Sequence, residues 1–220
     1  MPKGSPDLAA ARREEILAAC AKLYETKPFR DITIRDIGDA TTFGRTSIYN
    51  YFQTREEIFL GLLQQEYGVW SRELKALAAD APAHSPAALA DGLAETLSRR
   101  GLLLKLLTVN LSEMEENCRD ERLADFKRTY SAALAAVEAC LQTFCPAMDA
   151  AARKQFLYAF FPFLYGVHPY TTVSDKQRRA MRAAGFSYEP PTAYSLIRAF
   201  LRQLLGIAEA AGAGHQNETP

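Results

Sequence analysis

Apolar residues recur every three or four positions along almost the whole chain, which is the spacing of amphipathic α-helices. The clearest case is residues 119–144, a segment that Pro146 then ends. Its apolar positions are Leu123, Phe126, Tyr130, Leu134, Val137, Leu141 and Phe144. Residues 12–27 carry a shorter stripe of the same kind. No segment gives a convincing strand pattern, so the sequence predicts an all-α protein.

Helix starts are marked by a hydroxyl residue that is followed three positions later by an acid or amide, the capping-box spacing. Thr33 with Asp36, Thr54 with Glu57 and Ser174 with Gln177 form such pairs. The first pair opens a short helix that ends near Ala40, and a second short helix fits Arg45 to Phe52. Thr54 opens a long helix through about Ala79. Further helices are predicted at 87–99, 102–110, 149–170, with a kink at Pro162, and 192–209.

Composition narrows the function classes. The chain has 220 residues, no net charge and a 48% apolar share, which is ordinary for a globular protein. Its first fifteen residues lack the apolar core of a secretory signal, and the most apolar run, 101–111, is interrupted by Lys105 and Asn110. We therefore expect a cytoplasmic protein without a membrane partner. Cys140 and Cys145 would not share a helix face, so packing is favoured over a metal site.

The segment TTFGRTSIYNYFQTREEIF, residues 41–59, predicts a helix-turn-helix. A helix that enters the major groove needs hydrogen-bonding groups on its outer face and apolar groups on its inner face. Arg45, Thr46, Ser47 and Asn50 meet the first demand. Phe43, Ile48 and Phe52 have the spacing for the second. Residues 1–60 contain nine basic and nine acidic residues, so DNA binding would depend on placement rather than on bulk charge.

The block IRDIGDATTFGRTSIYNYFQTREEIFLGLL resembles the DNA-binding domain of the tetracycline-repressor (TetR) family of bacterial regulators. The matching positions are Ile37, Ser47, Ile48, Tyr49, Tyr51, Phe52, Thr54, Arg55 and Glu56. The resemblance implies phosphate contacts from Thr33 and Ser47, and base-edge contacts from Arg45, Thr46 and Asn50. It also implies a clamp on the DNA backbone made by Tyr49, Tyr51 and Arg55.

Three positions depart from the family pattern. Thr42 stands where the family usually has Gly, so either a β-branched residue accepts an awkward backbone or the turn is built differently. Gly44 replaces a Ser at the helix N-cap, which costs only a few tenths of a kcal/mol. Thr46 replaces a Gly close to DNA, so the base preference of relatives does not transfer to this chain.

The resemblance also implies the domain organisation: a three-helix DNA-binding domain at 1–55, a larger ligand-binding and dimerisation domain at 56–211, and a polar, disordered tail at 212–220. Two broadly apolar helices from each protomer would form a four-helix dimer interface on a pseudo-palindromic DNA operator. The predicted interface residues are Phe161, Leu164, Ile197, Leu201, Leu204 and Leu205.

Aromatic residues are the only indication of an effector site, and they suit a small, moderately apolar molecule of unknown identity. The predicted pocket residues are Trp70, Phe126, Tyr130, Phe160, Phe163 and His168. Core packing remains an alternative for each of them. Repression relieved by the ligand is the default expectation, while activation or regulation without a ligand stays open.

Two other functions compete with the regulator. An enzyme would need a catalytic motif, yet the three histidines are scattered and Glu113, Glu115 and Glu116 suit a solvated helix end. We predict no catalytic residues, no metal and no cofactor. A helical interaction module without DNA binding is the second alternative, motivated by the altered turn at Thr42 to Gly44.

Overall fold

The computed structural model describes residues 6–80, 84–109, 111–186 and 188–208, and within these ranges the protein is all-α, as predicted. A short 3-10 helix occupies Phe29–Asp31. The α-helices are α1 (Pro6–Thr26), α2 (Ile34–Asp39), α3 (Arg45–Ile48), α4 (Arg55–Asp80), α5 (Pro86–Ser98), α6 (Gly101–Leu106), α7 (Leu111–Glu116), α8 (Asp120–Phe144), α9 (Ala150–Thr171), α10 (Asp175–Ala183) and α11 (Ala193–Leu204). Among the helices of these ranges, none combines the length and apolarity needed to cross a bilayer.

The first three α-helices and the 3-10 helix form the N-terminal unit, and α4–α11 form the C-terminal unit. The N-terminal unit packs around apolar side chains that the helical spacing directs inward. Ile16, Ile37, Ile48 and Phe52 are all fully buried there. Cys20 lies in the same core, where burial raises the pKa of its thiol to about 12.

Within the C-terminal unit, α4 packs along α8 and α5 packs against α11. Aromatic side chains fill the space between α4, α8 and α9: Tyr67, Trp70, Phe126, Phe160 and Phe161 are each at most 3% exposed. Trp70 Nε1 donates to Thr96 Oγ1 at 3.2 Å, which satisfies the indole inside this core. The prominent apolar stripe of α8 is therefore the centre of the unit.

Several predicted boundaries change. The helix predicted at 102–110 ends at Leu106, and Asn110 lies outside the described residues. The last helix ends at Leu204, where Leu205 and the positive φ of Gly206 (66°) close it. Helix α9 is continuous through Pro162 and Pro169. The polar tail predicted at 212–220 also lies outside the described residues.

The apolar character of α9 predicts burial on more than one side, and within one protomer this is wrong. Tyr158 and Tyr170 are each 64% exposed, and Pro162 is exposed between them. One face of α9 packs on the aromatic core through Phe160, Phe161 and Leu164. The opposite face meets solvent, because periodicity cannot tell a second buried face from an uncovered one.

Candidate nucleic-acid interface

The start of α2 has the capping box that the sequence predicts. Thr33 Oγ1 accepts from Asp36 N at 3.2 Å, and Asp36 Oδ2 accepts from Thr33 N at 2.9 Å. Hydrogen bonds from Thr33, together with the Lys27 ammonium 3.1 Å from Oδ1, hold the pKa of Asp36 well below its usual range. Thr33 remains exposed at the helix N-terminus, but its hydroxyl also donates to Asp36 Oδ2 at 2.5 Å, so a phosphate oxygen would have to replace that carboxylate as the acceptor.

The turn between α2 and α3 is tied to α1, which resolves the alternative at Thr42. Both oxygens of Glu15 accept hydrogen bonds from Thr42, from the backbone N at 2.5 Å and from Oγ1 at 3.1 Å. Among the described residues only glycines have positive φ, so Thr42 adopts no left-handed conformation. The turn is therefore built differently, with a carboxylate 27 residues away as its anchor.

Helix α3 is shorter than predicted. Its regular part ends at Ile48, and residues 49–51 continue as a turn. Asn50 N bonds to Ser47 O and Tyr51 N bonds to Ile48 O, the three-residue spacing of a tightened helix end. Gln53 N then donates to the Glu57 carboxylate at 2.8 Å instead of extending the helix.

The two sides of the segment 45–52 differ as an amphipathic rod requires. Ile48 and Phe52 are completely buried, and Tyr51 is half-buried with its ring centre 6.4 Å from that of Phe43. Ser47 is half-buried. The exposed side chains of the segment are Arg45, Thr46, Tyr49 and Asn50.

Arg45 and Tyr49 form one exposed pair on this surface. Arg45 Nη2 donates to Tyr49 Oη at 3.2 Å, and the guanidinium lies 5.8 Å from the centre of the tyrosine ring. The contact restricts the rotamers of both side chains before any partner binds. The N–H groups of Arg45 that do not bond to Tyr49 could donate to a base edge or to a phosphate.

Arg55 is largely engaged inside the protein. Its Nη1 donates to the carbonyl oxygens of Phe29, Arg30 and Ile32, each at 3.3 Å, and its guanidinium lies 4.3 Å from the Phe29 ring centre. Glu56 pairs with Nη2 at 2.6 Å. These contacts hold the 3-10 helix against α4 and leave few donors for the phosphate contact that the sequence predicts.

Gly38, which the sequence analysis did not single out, sets the distance between α2 and α3. A Cβ at this position would lie 2.8 Å from both Cα and N of Arg45. Because these are backbone atoms, no side-chain rotation can relieve the contact. The only sequence signal for this role is a glycine inside a helix that otherwise follows the periodic pattern.

The segment after α3 and the first turn of α4 are bound to the junction of α7 and α8. The Glu57 carboxylate is completely buried and accepts three hydrogen bonds from Arg119, from N at 3.2 Å, Nε at 2.7 Å and Nη2 at 2.9 Å. Thr54 Oγ1 donates to Asn117 O at 2.9 Å, and Arg122 Nη2 donates to Tyr51 O at 3.4 Å. A shift of the junction would therefore move the segment that follows α3.

The residues predicted to line an effector pocket divide into two places. Trp70, Phe126 and Phe160 are at most 1% exposed and pack against one another in the aromatic core, with Tyr130 at its edge. Phe163 instead stacks on Phe200, with ring centres 3.8 Å apart. The core aromatics therefore contact one another among the described residues, and their role in an effector pocket stays a prediction.

His168 lies apart from that cluster and borders a cavity of about 530 Å³ between the two units. Tyr24, Phe29 and Arg30 line its N-terminal side, and Lys105 lines the other side. Burial and the nearby Lys105 lower the pKa of His168.

Four of the six predicted interface residues are core residues of the protomer. Leu164, Ile197 and Leu201 are completely buried and Phe161 is 3% exposed, so these side chains are not available to a partner. Leu204 and Leu205 are half-buried near the end of α11. The sequence could not separate these groups, because a broad apolar arc covers both the side that faces α5 and the side that faces solvent.

Residues 16–62 match the model of the bacterial regulatory proteins of the tetR family, and residues 64–209 match the tetracyclin repressor-like C-terminal domain. Among curated proteins, none matches the chain.

Several solved structures share the fold of this chain, and three of them are described here by their similarity to it. The fatty acid degradation regulator FadR from Bacillus halodurans has a TM-score of 0.59 at 14% identity, covering 94% of this chain and 98% of that one. FadR from Bacillus subtilis in complex with stearoyl-CoA has a TM-score of 0.59 at 11% identity, covering 89% and 99%. A TetR-family regulator from Bordetella parapertussis 12822 has a TM-score of 0.58 at 14% identity, covering 90% and 98%.

At such identities these structures show a shared fold, whereas the family models match sequence. The C-terminal model alone spans well over half of the chain, and the N-terminal model covers the helix-turn-helix. The chain belongs to the tetR family of bacterial transcriptional regulators.

Proposed function

We propose that this protein is a homodimeric repressor in which each protomer places α3 in the major groove of one half of a pseudo-palindromic operator. The supporting observation is the orientation of one short segment. Ile48 and Phe52 are fully buried while Arg45, Thr46 and Asn50 are exposed on the opposite side. This leaves hydrogen-bonding groups outward on a rod narrow enough for a groove about 12 Å wide.

We assign base-edge contacts to Arg45, Thr46 and Asn50, and phosphate contacts to Thr33, Ser47 and Tyr49. The ring of Tyr51 packs against Phe43, and in this proposal its hydroxyl contacts the DNA backbone. Arg55 is reassigned, because its donors hold the 3-10 helix. In this proposal residues 1–55 are the DNA-binding domain and residues 56–211 bind the ligand and the second protomer.

For the dimer, we propose that the solvent-facing side of α9 and the end of α11 meet their copies. Tyr158 and Pro162 are exposed on α9, and the half-buried Phe163, Leu204 and Leu205 continue the apolar surface. A twofold axis through this surface makes a four-helix bundle. The two α3 segments then serve half-sites separated by about one helical turn of DNA or more, roughly 34–36 Å.

For the effector, we propose a small, moderately apolar molecule that opens the aromatic core. Tyr67 Oη is buried there and has no hydrogen-bond partner among the described residues. A ligand oxygen could satisfy this group, which otherwise costs about 1–3 kcal/mol. Stearoyl-CoA, which is bound by the Bacillus subtilis relative, is larger and charged, but its acyl chain is apolar; acyl-CoA thioesters are therefore the first compounds to test, with the acyl chain as the part that enters the core.

Release from DNA requires that the ligand prefer a conformer with altered spacing of the two α3 segments. The contacts of Glu57, Thr54 and Tyr51 with the α7–α8 junction provide a physical connection. Activation of transcription, or regulation without a ligand, uses the same DNA interface and is separated from repression by the direction of the transcriptional response.

The experiment is a gel shift with fragments of the source genome, followed by sequencing of the retained DNA. We expect a few fragments that share an inverted repeat. The Arg45→Ala, Asn50→Ala variant should lose at least about 30-fold in affinity for them, because each base contact contributes about 1–3 kcal/mol of discrimination. An Arg99→Ala, Gln142→Ala variant also removes an exposed arginine and an exposed amide side chain, at the C-cap of α5 and on α8, and should bind normally.

Two results would contradict the proposal: retention of fragments without a shared sequence, or equal binding by both double variants. Transcription from the retained fragments then decides between repression and activation. Added protein should lower the transcript level, and an increase would favour an activator.

A further inference from the structure

Helix α10 is a basic helix that none of the proposed functions uses. No residue of Asp175–Ala183 is buried. Its single acid, Asp175, lies 3.6 Å from Arg178. The exposed cations on the helix are Lys176, Arg178, Arg179 and Arg182. The helix therefore presents a net positive surface, and within the described part of the chain Asp175 is the acid that pairs with it.

Hydrogen bonds at the two ends of α10, rather than packing against the core, define its position. Ser174 and Gln177 form a complete capping box at its start. At its end Gly185 has a φ of 67°, and Phe186 N donates to Met181 O at 2.9 Å, which closes the last turn. Tyr188 Oη donates to Tyr170 O at 2.7 Å and returns the chain to the end of α9. These contacts hold the four cations on a helix of defined position; we call α10, residues Asp175–Ala183, the arm.

The arm leaves the C-terminal unit at the end that adjoins the N-terminal unit. His168, one turn before the end of α9, shares a cavity with Tyr24, Phe29 and Arg30. Lys105 Nζ bonds to the carbonyl oxygens of Tyr24 and Glu25, which fixes the end of α1 beside α6. Three residues connect α9 to α10, a span of at most about 11 Å. The start of α10 therefore lies near the side of the C-terminal unit that adjoins the end of α1 and the 3-10 helix.

The DNA-binding domain has only a small excess of cations. Residues 1–55 contain nine basic and seven acidic residues, and Lys27, Arg35 and Arg55 are in ion pairs. Contacts of cations with phosphates provide most of the non-specific affinity of proteins for DNA. A net positive helix that starts close to the N-terminal unit would complement the phosphate backbone.

We propose that α10 is a second DNA-contacting element, whose Arg179 and Arg182 side chains bind backbone phosphates next to the groove occupied by α3. The proposal rests on the proposed function, since it needs α3 on the duplex. It assigns α10 affinity without base preference, because flexible cations at phosphates do not distinguish sequences. DNA is favoured over a second copy of the chain because the exposed surface of α10 is predominantly charged.

The test compares two variants that remove the same charge. Arg179→Gln, Arg182→Gln changes α10, and Arg72→Gln, Lys75→Gln changes exposed cations on α4. Binding to fluorescent 40-base-pair duplexes of random sequence is measured by anisotropy across a series of NaCl concentrations. Each lost phosphate contact should reduce the slope of log K against log [NaCl] by about 0.9.

We expect the α10 variant to lose about two units of slope per protomer and at least tenfold in affinity at low salt. The control variant should match the wild type. In both variants the thermal unfolding curve should be unchanged, because the substituted side chains are exposed. The ranking of genomic fragments should also be unchanged for the α10 variant.

Equal slopes for the two variants would overturn the proposal. So would a loss of self-association in sedimentation by the α10 variant without a change in slope, since the arm would then serve the second protomer. Failure of the proposed function looks different: the Arg45→Ala, Asn50→Ala variant would keep its fragment selectivity whatever α10 does.

Discussion

Arg119 encloses the buried carboxylate of Glu57 with three hydrogen bonds, although 62 residues separate them in the chain. Glu57 belongs to the first turn of α4, and its other oxygen contact is Gln53 N, directly after the segment that carries α3. Arg119 is the N-cap residue of α8. The pair therefore connects the segment after α3, through Gln53, to the start of α8; the Glu57 carboxylate is buried and the Arg119 side chain is 30% exposed.

Replacement of Arg119 by Met should destabilise the protein by about 3–5 kcal/mol, because it leaves a buried carboxylate without its counter-charge. Urea unfolding measures the change. Arg99→Met is the matched control, since Arg99 pairs with Glu95 on the exposed face of α5 and should contribute less than about 1 kcal/mol. In the Glu57→Gln, Arg119→Met double variant the loss should be well below the sum of the two single losses. Additive losses would contradict the coupling.

The ion pair between Glu57 and Arg119 should also make the free energy of unfolding depend on pH. Burial by itself raises the pKa of Glu57, and the hydrogen bonds from Arg119 and Gln53 outweigh this, so the pKa lies below the ordinary value of 4.5. A lowered pKa means that the stabilisation is complete above pH 4.5 and is lost as the pH falls through the folded-state value. Between pH 7 and pH 3 the wild type should therefore lose more free energy of unfolding than Glu57→Gln. An equal loss in both proteins would exclude this role.

The spacing of α2 and α3 gives a third prediction. Gly38→Ala places a Cβ 2.8 Å from the backbone of Arg45, so α3 must move outward. We expect a loss of about 1–3 kcal/mol in stability and a clear loss of DNA affinity. Gly44→Ser is the control, because a Cβ there meets nothing within 4 Å and the hydroxyl can cap α3. That variant should gain a few tenths of a kcal/mol. Normal DNA binding by Gly38→Ala would show that the close approach does not position α3.

Local features of this fold were predictable from sequence. The capping boxes at Thr33 and Ser174 form as expected, because each needs only residues three positions apart. The inward direction of Ile48 and Phe52 follows from helical spacing in the same way. The family models confirm the family that these residues indicated.

Contacts between distant residues were not predictable. The turn at Thr42 depends on Glu15, and the role of Glu57 depends on Arg119; neither partner has a local sequence signal. Half of the capping box predicted at Thr54 forms, because Glu57 N donates to Thr54 Oγ1 at 3.1 Å, but the Glu57 carboxylate accepts from Gln53 N rather than from Thr54 N. Leu164 and Ile197 were predicted to contact a second protomer, but both are buried within one protomer. An apolar pattern shows that a side chain will be covered, not which neighbour covers it.

Two polar groups in the aromatic core give the last prediction. Tyr67 Oη is buried without a hydrogen-bond partner among the described residues, and burial raises the pKa of this phenol. Tyr67→Phe removes an unsatisfied group and should leave the stability unchanged or raise it by about 1 kcal/mol. Thr96→Val is the opposite case, because it deprives the buried Trp70 Nε1 of its acceptor at 3.2 Å. That variant should lose about 1–3 kcal/mol.

Urea unfolding of both variants without ligand tests the stabilities, and calorimetric titration with acyl-CoA thioesters tests binding. If the hydroxyl of Tyr67 is kept for a ligand, Tyr67→Phe should bind the effector at least tenfold more weakly while unfolding no more easily than the wild type. A destabilised Tyr67→Phe would instead mean that the hydroxyl already has a partner in the folded protein. The aromatic core would then be a packed interior without a waiting polar group, and the effector site would have to be sought elsewhere in the C-terminal unit.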